Sequence, residues 1–220
     1  MGTSHAPTLL QRIAGRCLAG LAWAVTGVRP IWDGCGPGQR QRIYYANHTS
    51  HGDFILIFAC LRAKERERTA AVAGADYWHA GPIRRFVADH LLRTVLVERN
   101  WVERSQDPIS TMLAALDQGQ SLILFPEGTR NMTDERLLRF KSGLFNLVAA
   151  RPDIELIPCW IENMARVMPK GAVLPVPFLC RVVFGPPLVY APGEDRKVFL
   201  QKARDGLLRL APFETDLQDE

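Results

Sequence analysis

A histidine and an aspartate five positions apart form the first pair in this sequence that could do acid–base chemistry. His48 and Asp53 frame the segment NHTSHGD, residues 47–53, between a strand-like run and an apolar helix-like run. Across such a turn the Asp53 carboxylate can accept a hydrogen bond from Nδ1–H of His48 and leave Nε2 as a general base. Imidazole suits this task because histidine ordinarily titrates near neutral pH.

Two other interpretations of this segment stay open from the sequence. Asp53 could only cap the helix that follows it, with His48 a solvated loop residue. Alternatively, His48, His51 and Asp53 could bind a metal ion. No Gly-x-Ser-x-Gly motif marks a serine as a nucleophile. A His–Asp pair would therefore act directly on a hydroxyl group of the substrate.

Three cations lie at strand ends or at a helix start, where they could bind an anionic substrate. Arg99 and Arg130 each follow an apolar strand-like run, and Lys141 precedes a helix-like one. An arginine in this position can hold an anion through its fork of donors. Gly128 permits close approach of the backbone, and Thr129 offers a hydroxyl group. These residues predict one site for an anionic substrate near the His–Asp pair.

The elements that must position these residues alternate between strand-like and helix-like runs. The predicted strands are residues 42–46, 69–73, 94–97, 121–125, 154–159 and 179–184. The predicted helices are residues 54–64, 82–92, 108–118, 142–150 and 196–210. This alternation predicts a single α/β domain with a mostly parallel sheet flanked by helices. The polar segments fall directly after strands, where such sheets place their active sites.

Residues 1–40 are predicted to precede this domain, residues 41–220, as an amphipathic helix and a Gly- and Pro-rich linker at 30–40. Five arginines and one aspartate in residues 1–45 account for the whole net charge of +4. The apolar run Cys17–Val28 has twelve residues, whereas a bilayer span needs about twenty. Basic residues beside such a run predict a helix that lies in an anionic membrane surface. The alternative is a helix that only packs on the domain.

The composition excludes several classes of protein. The chain is 47% hydrophobic and 23% charged, which excludes a disordered tail and a fibrous repeat. Its five cysteines are scattered and form no Cys-x-x-Cys pair, which argues against a disulfide framework and a zinc ribbon. This cysteine usage favours a cytoplasmic protein. We expect neither a metal nor another cofactor, and no nucleic-acid partner.

The two polar segments together resemble the glycerolipid acyltransferase family, especially the 1-acylglycerol-3-phosphate (lysophosphatidate) acyltransferases. NHTSHGD has every fixed position of the family's first motif, Asn-His-x-Ser-x-x-Asp, and FPEGTR, residues 125–130, is similar to its third motif. The pair Glu98 and Arg99 matches the end of the second motif, and residues 156–158 (LIP) are similar to the fourth. The resemblance covers residues 41–185.

The resemblance implies that His48, oriented by Asp53, deprotonates a glycerol hydroxyl group, which attacks the thioester of acyl-CoA or acyl-carrier protein without a covalent acyl-enzyme. Candidate donors to the oxyanion are backbone amides of the 47–53 turn. Residues 54–58 are candidates for walls of an acyl groove, although core packing accounts for most of them. The residues that the resemblance assigns to the acceptor site are Glu127, Gly128, Thr129 and Arg130. Arg99 would hold the phosphate, with Lys141 as a further phosphate candidate.

The expected function is synthesis of phosphatidic acid, in phospholipid biosynthesis, by a peripheral or monotopic enzyme on the cytoplasmic face of the cell membrane. Its partners would be a lysophospholipid, an acyl thioester, the membrane surface and acyl-carrier protein. A close variant would acylate another lysolipid, such as a lyso-ornithine lipid. Competing classes are a metal-dependent hydrolase that uses His48, His51 and Asp53, and a non-catalytic lipid-binding protein.

Overall fold

A computed structural model describes residues 8–38, 40–74, 94–97, 107–163 and 179–212. Within these ranges the strands are β1 (Arg29–Trp32), β2 (Arg42–Ala46), β3 (Thr69–Gly74), β4 (Thr94–Val97), β5 (Ser121–Leu124), β6 (Glu155–Glu162) and β7 (Arg181–Phe184). The helices are α1 (Leu9–Thr26), α2 (Asp53–Cys60), α3 (Ala63–Arg66), α4 (Pro108–Asp117), α5 (Gly143–Ala150) and α6 (Arg196–Leu208).

The described strands form one sheet in the order β1-β7-β6-β2-β5-β3-β4. β6 and β7 run antiparallel, and the other neighbours in this order run parallel. The prediction of an α/β domain with a mostly parallel sheet is therefore confirmed. β2 and β5 are parallel neighbours, so the segments that follow them meet at one edge of the sheet.

The central strand β2 is buried on both faces, which explains its continuous apolar character. Ile43 and Tyr45 belong to the core cluster that includes residues of α4, α5 and α6. Tyr44 and Ala46 belong to the cluster that includes residues of α1 and α2. Alternate side chains of one strand thus anchor helices on opposite faces of the sheet.

Two predicted segments differ from the structure. Residues 30–32, predicted to be linker, belong to strand β1, which pairs with β7. The predicted helix 54–64 is interrupted after Cys60, and α3 begins again at Ala63. The interruption has a local cause, because the Glu65 carboxylate accepts the backbone N–H of Arg62 and so starts a new helix. Predicted helix 82–92 lies outside the described residues.

Helix α1 has a well-defined start and end. Thr8 and Gln11 form a capping box at its N-terminus. Gly27 closes its C-terminus in the left-handed conformation, with φ 52°. Within the described ranges, no helix is both long and apolar enough to span a membrane.

Candidate active site

The imidazole of His48 and the carboxylate of Asp53 are in direct contact. Nδ1 of His48 lies 2.8 Å from Oδ2 of Asp53. The same oxygen accepts the backbone N–H groups of Thr49 at 2.7 Å and Ser50 at 2.9 Å. The side chain of Asp53 is completely buried, whereas that of His48 is 14% exposed. The carboxylate is therefore fixed by backbone donors and orients the imidazole so that Nε2 is its remaining nitrogen.

The two competing interpretations of this segment are not supported by the geometry. Asp53 opens α2 at its favourable N-terminal end, but its hydrogen bonds go to the preceding turn and to His48. It is thus more than a helix cap. Among the described residues, which include His48, His51 and Asp53, no group of three His, Cys, Asp or Glu side chains could hold a metal ion.

Glu127 is a support for the His48 backbone rather than a group that faces the cavity. One carboxylate oxygen accepts the backbone N–H of His48 at 2.8 Å, and the other accepts that of Leu138 at 2.9 Å. The residue is 2% exposed, and its burial raises the pKa of the carboxyl group. The carboxylate therefore supports the turn that contains His48 and does not line the cavity, and contact of Glu127 with the acceptor stays a prediction.

Two further contacts to His48 come from residues 125–131, the segment that contains Glu127, and the sequence did not single them out. The ring of Phe125 stacks on the imidazole, with ring centroids 4.1 Å apart and an interplanar angle of 16°. The backbone N–H of Asn131 donates to the carbonyl oxygen of His48 at 2.7 Å. Phe125 belongs to the FPEGTR run, so its place in that motif was the available signal.

Asn47, the first residue of the NHTSHGD segment, ties that segment to the neighbouring strand β6. Its side-chain amide donates to the carbonyl oxygen of Ile161 at 3.0 Å and accepts the N–H of the same residue at 2.8 Å. Asn47 is buried. Its role is therefore to fix the end of β2, from which His48 extends.

A cavity of about 790 Å³ adjoins the His48 side chain. Four of the predicted binding residues line it together with His48, namely Gly128, Thr129, Arg130 and Lys141. Part of the wall is apolar and includes Phe54, Ala71, Met112, Leu124 and Leu147. The lining thus combines two cations and one carboxylate, that of Asp107, with apolar side chains, a set that fits an amphipathic, anionic ligand. Arg99 lies outside the described residues.

Gly128 makes room for the Lys141 side chain, which lines the same cavity as His48. Its backbone is in the left-handed region, with φ 69°, where a side chain is strained. A Cβ atom at this position would also lie 2.8 Å from Cδ of Lys141. Glycine at this position therefore permits both the backbone conformation of the turn and the close approach of the Lys141 side chain.

Residues 54–58, predicted as candidates for walls of an acyl groove, do not all face the cavity. Phe54 lines the cavity. Leu56 and Ile57 are buried in the core, as expected for most of this run. Phe58 lies against α1, because a Cβ built on Gly15 would be 3.5 Å from its ring.

Most backbone amides of the 47–53 turn are already occupied. Those of His48, Thr49 and Ser50 donate to the Glu127 and Asp53 carboxylates. Those of Gly52 and Asp53 donate to Ser50. The prediction that amides of this turn stabilise an oxyanion is thus not supported for these five donors.

Comparisons with known proteins show the family of this chain. The family model described as "Acyltransferase" matches residues 29–162, more than half of the chain. The chain is 27% identical over 184 residues to a 1-acyl-sn-glycerol-3-phosphate acyltransferase from Limnanthes douglasii, covering 81% of this chain and 61% of the relative. It is 39% identical over 70 residues to the chloroplastic 1-acyl-sn-glycerol-3-phosphate acyltransferase LPAT1 of Arabidopsis thaliana, covering 31% and 19%. The chain thus spans less than two thirds of the length of these relatives.

A solved structure has the same fold. The crystal structure of the 1-acyl-sn-glycerophosphate (LPA) acyltransferase PlsC from Thermotoga maritima superposes with a TM-score of 0.68 at 21% identity. The match covers 92% of this chain and 81% of that chain. The fold, the residues matched by the family model and the similarity to these relatives agree: this chain belongs to the acyltransferase family.

Proposed function

We propose that this protein is a 1-acylglycerol-3-phosphate O-acyltransferase that converts lysophosphatidate and an acyl thioester into phosphatidic acid. The observation that carries this proposal is that His48, which contacts the buried Asp53, lines a cavity together with Arg130 and Lys141. A base beside a cavity with cations and an apolar wall fits an acceptor that has a hydroxyl group, a phosphate and an acyl chain.

In this mechanism the free hydroxyl group of the acceptor donates its proton to Nε2 of His48. The hydroxyl oxygen then forms a bond to the thioester carbonyl carbon, and the carbon–sulfur bond of the resulting tetrahedral species breaks. The imidazolium returns the proton to the departing thiolate, so no acyl-enzyme forms. Asp53 stabilises the imidazolium during this step. General-base catalysis of this kind contributes roughly 10²- to 10⁴-fold.

In this proposal the cations bind the substrate, and His48 carries out the proton transfer. Arg130 and Lys141 line the cavity and would bind the acceptor phosphate. Arg99, which lies outside the described residues, is a third candidate from the sequence. An arginine guanidinium can bind phosphate through two hydrogen bonds, whereas a lysine acts as a point charge. The acyl donor is acyl-CoA or acyl-carrier protein, and its chain would enter the apolar part of the cavity.

The test is transfer of a labelled palmitoyl group from its thioesters to lysophosphatidate in detergent micelles. Wild type is compared with His48→Ala, and a panel of other lysolipids, including a lyso-ornithine lipid, ranks the acceptors. We expect wild type to form phosphatidic acid and His48→Ala to lose turnover while it stays folded. Wild-type rates from His48→Ala would overturn the proposal.

His51→Ala separates acyl transfer from the metal-dependent alternative. If His48 acts as a base with Asp53, loss of His51 should reduce turnover far less than loss of His48. A metal site that uses both histidines predicts that the two variants are equally inactive and that a chelator inhibits wild type. Turnover in the presence of chelator, with a much weaker effect of His51→Ala, favours the acyltransferase.

We also propose that the protein binds the cytoplasmic face of the membrane through α1. This helix packs its small residues inward: its buried residues are Gly15, Ala19, Ala22 and Thr26. Four of its large apolar residues are on the outside, where Leu9 is 74%, Leu10 56%, Ile13 49% and Leu21 62% exposed. An ordinary surface helix has the opposite arrangement, so this outward face is suited to an apolar environment.

Basic side chains lie beside this apolar face. Arg12 and Arg16 project from α1, and Arg66 of α3 lies close enough to Arg16 that its pKa is lowered by burial and by that neighbouring charge. Arg12 forms an ion pair with Glu67 at 3.6 Å. This arrangement matches an anionic membrane surface, to which each basic residue adds attraction.

Cys17 is a native probe for this contact. It is exposed and lies on the same helical face as Leu10, Ile13 and Leu21, from which it is separated by seven, four and four positions. We expect liposomes with an anionic lipid to slow its labelling by a polar maleimide several-fold. The buried residues Cys60 and Cys159 should stay unlabelled with and without lipid.

Point substitutions control this experiment better than deletion of residues 1–28, because α1 and Val28 contribute to the apolar core. Ile13→Glu should abolish the protection of Cys17. Val198→Glu is the matched control, since Val198 is 58% exposed on α6, away from α1 in the sequence and on another helix. Equal labelling of Cys17 with and without anionic liposomes in wild type would refute binding through α1.

A further inference from the structure

Phe125 is in contact with the histidine that the proposed function uses as its base. Its ring lies parallel to the imidazole, with centroids 4.1 Å apart. Phe125 follows β5 directly, is half-buried and lines the cavity. His48 is also held by Asp53 at Nδ1 and by Glu127 at its backbone N–H. These hydrogen bonds leave one motion of the ring weakly constrained.

That motion is a rocking of the imidazole out of its own plane, with the hydrogen-bonded Nδ1 as the pivot. A hydrogen bond to a carboxylate oxygen tolerates a broad range of ring orientations, but each tilt moves Nε2, which lies on the other side of the ring. The stacked Phe125 ring occupies the space that a tilt toward that face would need. Aromatic rings suit this purpose because they are rigid and have only two rotatable bonds.

We propose that Phe125 is a positioning residue that holds the His48 imidazole in the orientation needed for proton transfer. This inference rests on the proposed function, in which His48 Nε2 accepts the proton of the acceptor hydroxyl group. Reacting atoms must be held about 3–3.5 Å apart in a productive orientation, and small misplacements lower the rate strongly. Phe125 contacts His48 and acts through it.

The alternative role for Phe125 is a wall of the acyl-chain site, since it lines the same cavity. The two roles predict different kinetics. A wall residue affects binding, so its loss should raise KM for the acyl substrates. A positioning residue affects the reaction of bound substrates, so its loss should lower kcat and leave KM nearly unchanged.

The experiment compares Phe125→Leu, which keeps an apolar side chain, with Phe125→Tyr, which keeps a ring that can stack. Phe145→Leu is the matched control, because Phe145 is half-buried and packs edge-to-face with Tyr190 and Phe199. We expect Phe125→Leu to lower kcat roughly 10- to 100-fold with KM changed less than about twofold. Phe125→Tyr should retain most of the wild-type kcat. Phe145→Leu should lower the unfolding temperature and leave kcat unchanged.

Proton NMR of the His48 ring provides a readout that does not depend on turnover. A proton held over an aromatic face is shifted upfield, so the carbon-bound ring protons of His48 should move downfield in Phe125→Leu and stay near their wild-type positions in Phe125→Tyr. If wild type transfers no acyl group, the proposed function fails, whereas these shifts still report the stacking. Unchanged kcat in Phe125→Leu, unchanged His48 resonances, or equal impairment of the Tyr variant would overturn the positioning role.

Discussion

The two ends of the sheet both contain buried carboxylates, but they bind different partners. After the carboxyl ends of β2 and β5, Asp53 and Glu127 accept hydrogen bonds from backbone amides and from His48. In the described ranges neither forms an ion pair with lysine or arginine. At the start of β2 the buried Arg42 lies between two carboxylates, with Nε 2.9 Å from Glu155 and Nη1 3.9 Å from Glu65.

This difference separates a functional arrangement from a structural one. Neutral donors stabilise a carboxylate but leave its negative charge uncompensated, so the charge of Asp53 is available to stabilise an imidazolium next to it. A guanidinium between two carboxylates compensates their charge instead. Substitutions at the first end should therefore lower catalysis, and substitutions at the second should lower stability.

The largest effect is expected for Asp53→Asn. The amide is nearly the same size as the carboxylate but carries no charge, so it cannot stabilise the imidazolium that forms when His48 accepts a proton. We expect kcat to fall roughly 10²- to 10⁴-fold, with KM for lysophosphatidate nearly unchanged. Initial rates at saturating substrate measure this effect. Loss of less than tenfold would show that the charge of Asp53 is not needed.

The second effect is a loss of stability in Arg42→Met. Removal of the guanidinium leaves Glu65 and Glu155 without their shared cation and removes the hydrogen bond from Arg42 to the carbonyl oxygen of Gly36. Breaking a buried ion pair in this way costs about 3–5 kcal/mol. Urea denaturation should show this decrease in the free energy of unfolding, while kcat of the folded protein stays at the wild-type value.

The double variant Arg42→Met, Glu155→Met is the control for this interpretation. It removes one of the two carboxylates together with the cation, so it should recover part of the lost stability. If either Arg42→Met or the double variant lowered kcat as much as Asp53→Asn does, the division between the two ends of the sheet would be contradicted.

A smaller effect, again at the end of the sheet that holds His48, is expected for Glu127→Gln. A glutamine amide group would place its own N–H donors against the N–H of either His48 or Leu138, so one of the two supports is lost. We expect kcat to fall roughly 10- to 100-fold through displacement of His48. Burial raises the pKa of Glu127, because removal of the charged carboxylate from water is unfavourable. A neutral glutamine does not have this desolvation penalty. The free energy of unfolding should therefore change by less than about 1 kcal/mol, as urea denaturation would measure.

Equal KM values for the acceptor in wild type and Glu127→Gln would support a positioning role for this residue. A large increase in KM with unchanged kcat would instead return Glu127 to the acceptor site, as the family resemblance implied. This outcome would also weaken the distinction between the carboxylates of the two ends.

The sequence was sufficient to predict the α/β fold and the segment that contains the His–Asp pair, because both have local signals. The alternation of strands and helices was visible in the chain, and the five-residue spacing of His48 and Asp53 spans one turn. The role of Glu127 was not predictable in this way. Its partner, the backbone N–H of His48, is 79 positions away, and no pattern in either motif shows which side of the turn faces the cavity.

Two other features were hidden for different reasons. Strand β1 has only four residues and includes Pro30, which lacks an N–H donor and is tolerated at a sheet edge. Its alternation was too short to distinguish it from a linker. In α1, apolar residues occur on both sides of the helix, so periodicity alone does not show that the small side chains face the protein and the large ones face outward.

The smallest effect is expected for Arg40→Met, at the same end of the sheet as Arg42 and on the same carboxylate. Arg40 Nη1 lies 3.1 Å from Oε1 of Glu155, but its side chain is 82% exposed. Water screens such a pair, so its loss should lower the free energy of unfolding by less than about 1 kcal/mol. The comparison with Arg42→Met, under the same urea denaturation, keeps Glu155 as the acid and sets an exposed cation against a buried one, which also pairs with Glu65 and donates to Gly36. A cost as large as that of Arg42→Met would mean that the number of ion pairs, and not the burial of the charge, determines the stability of this end of the sheet.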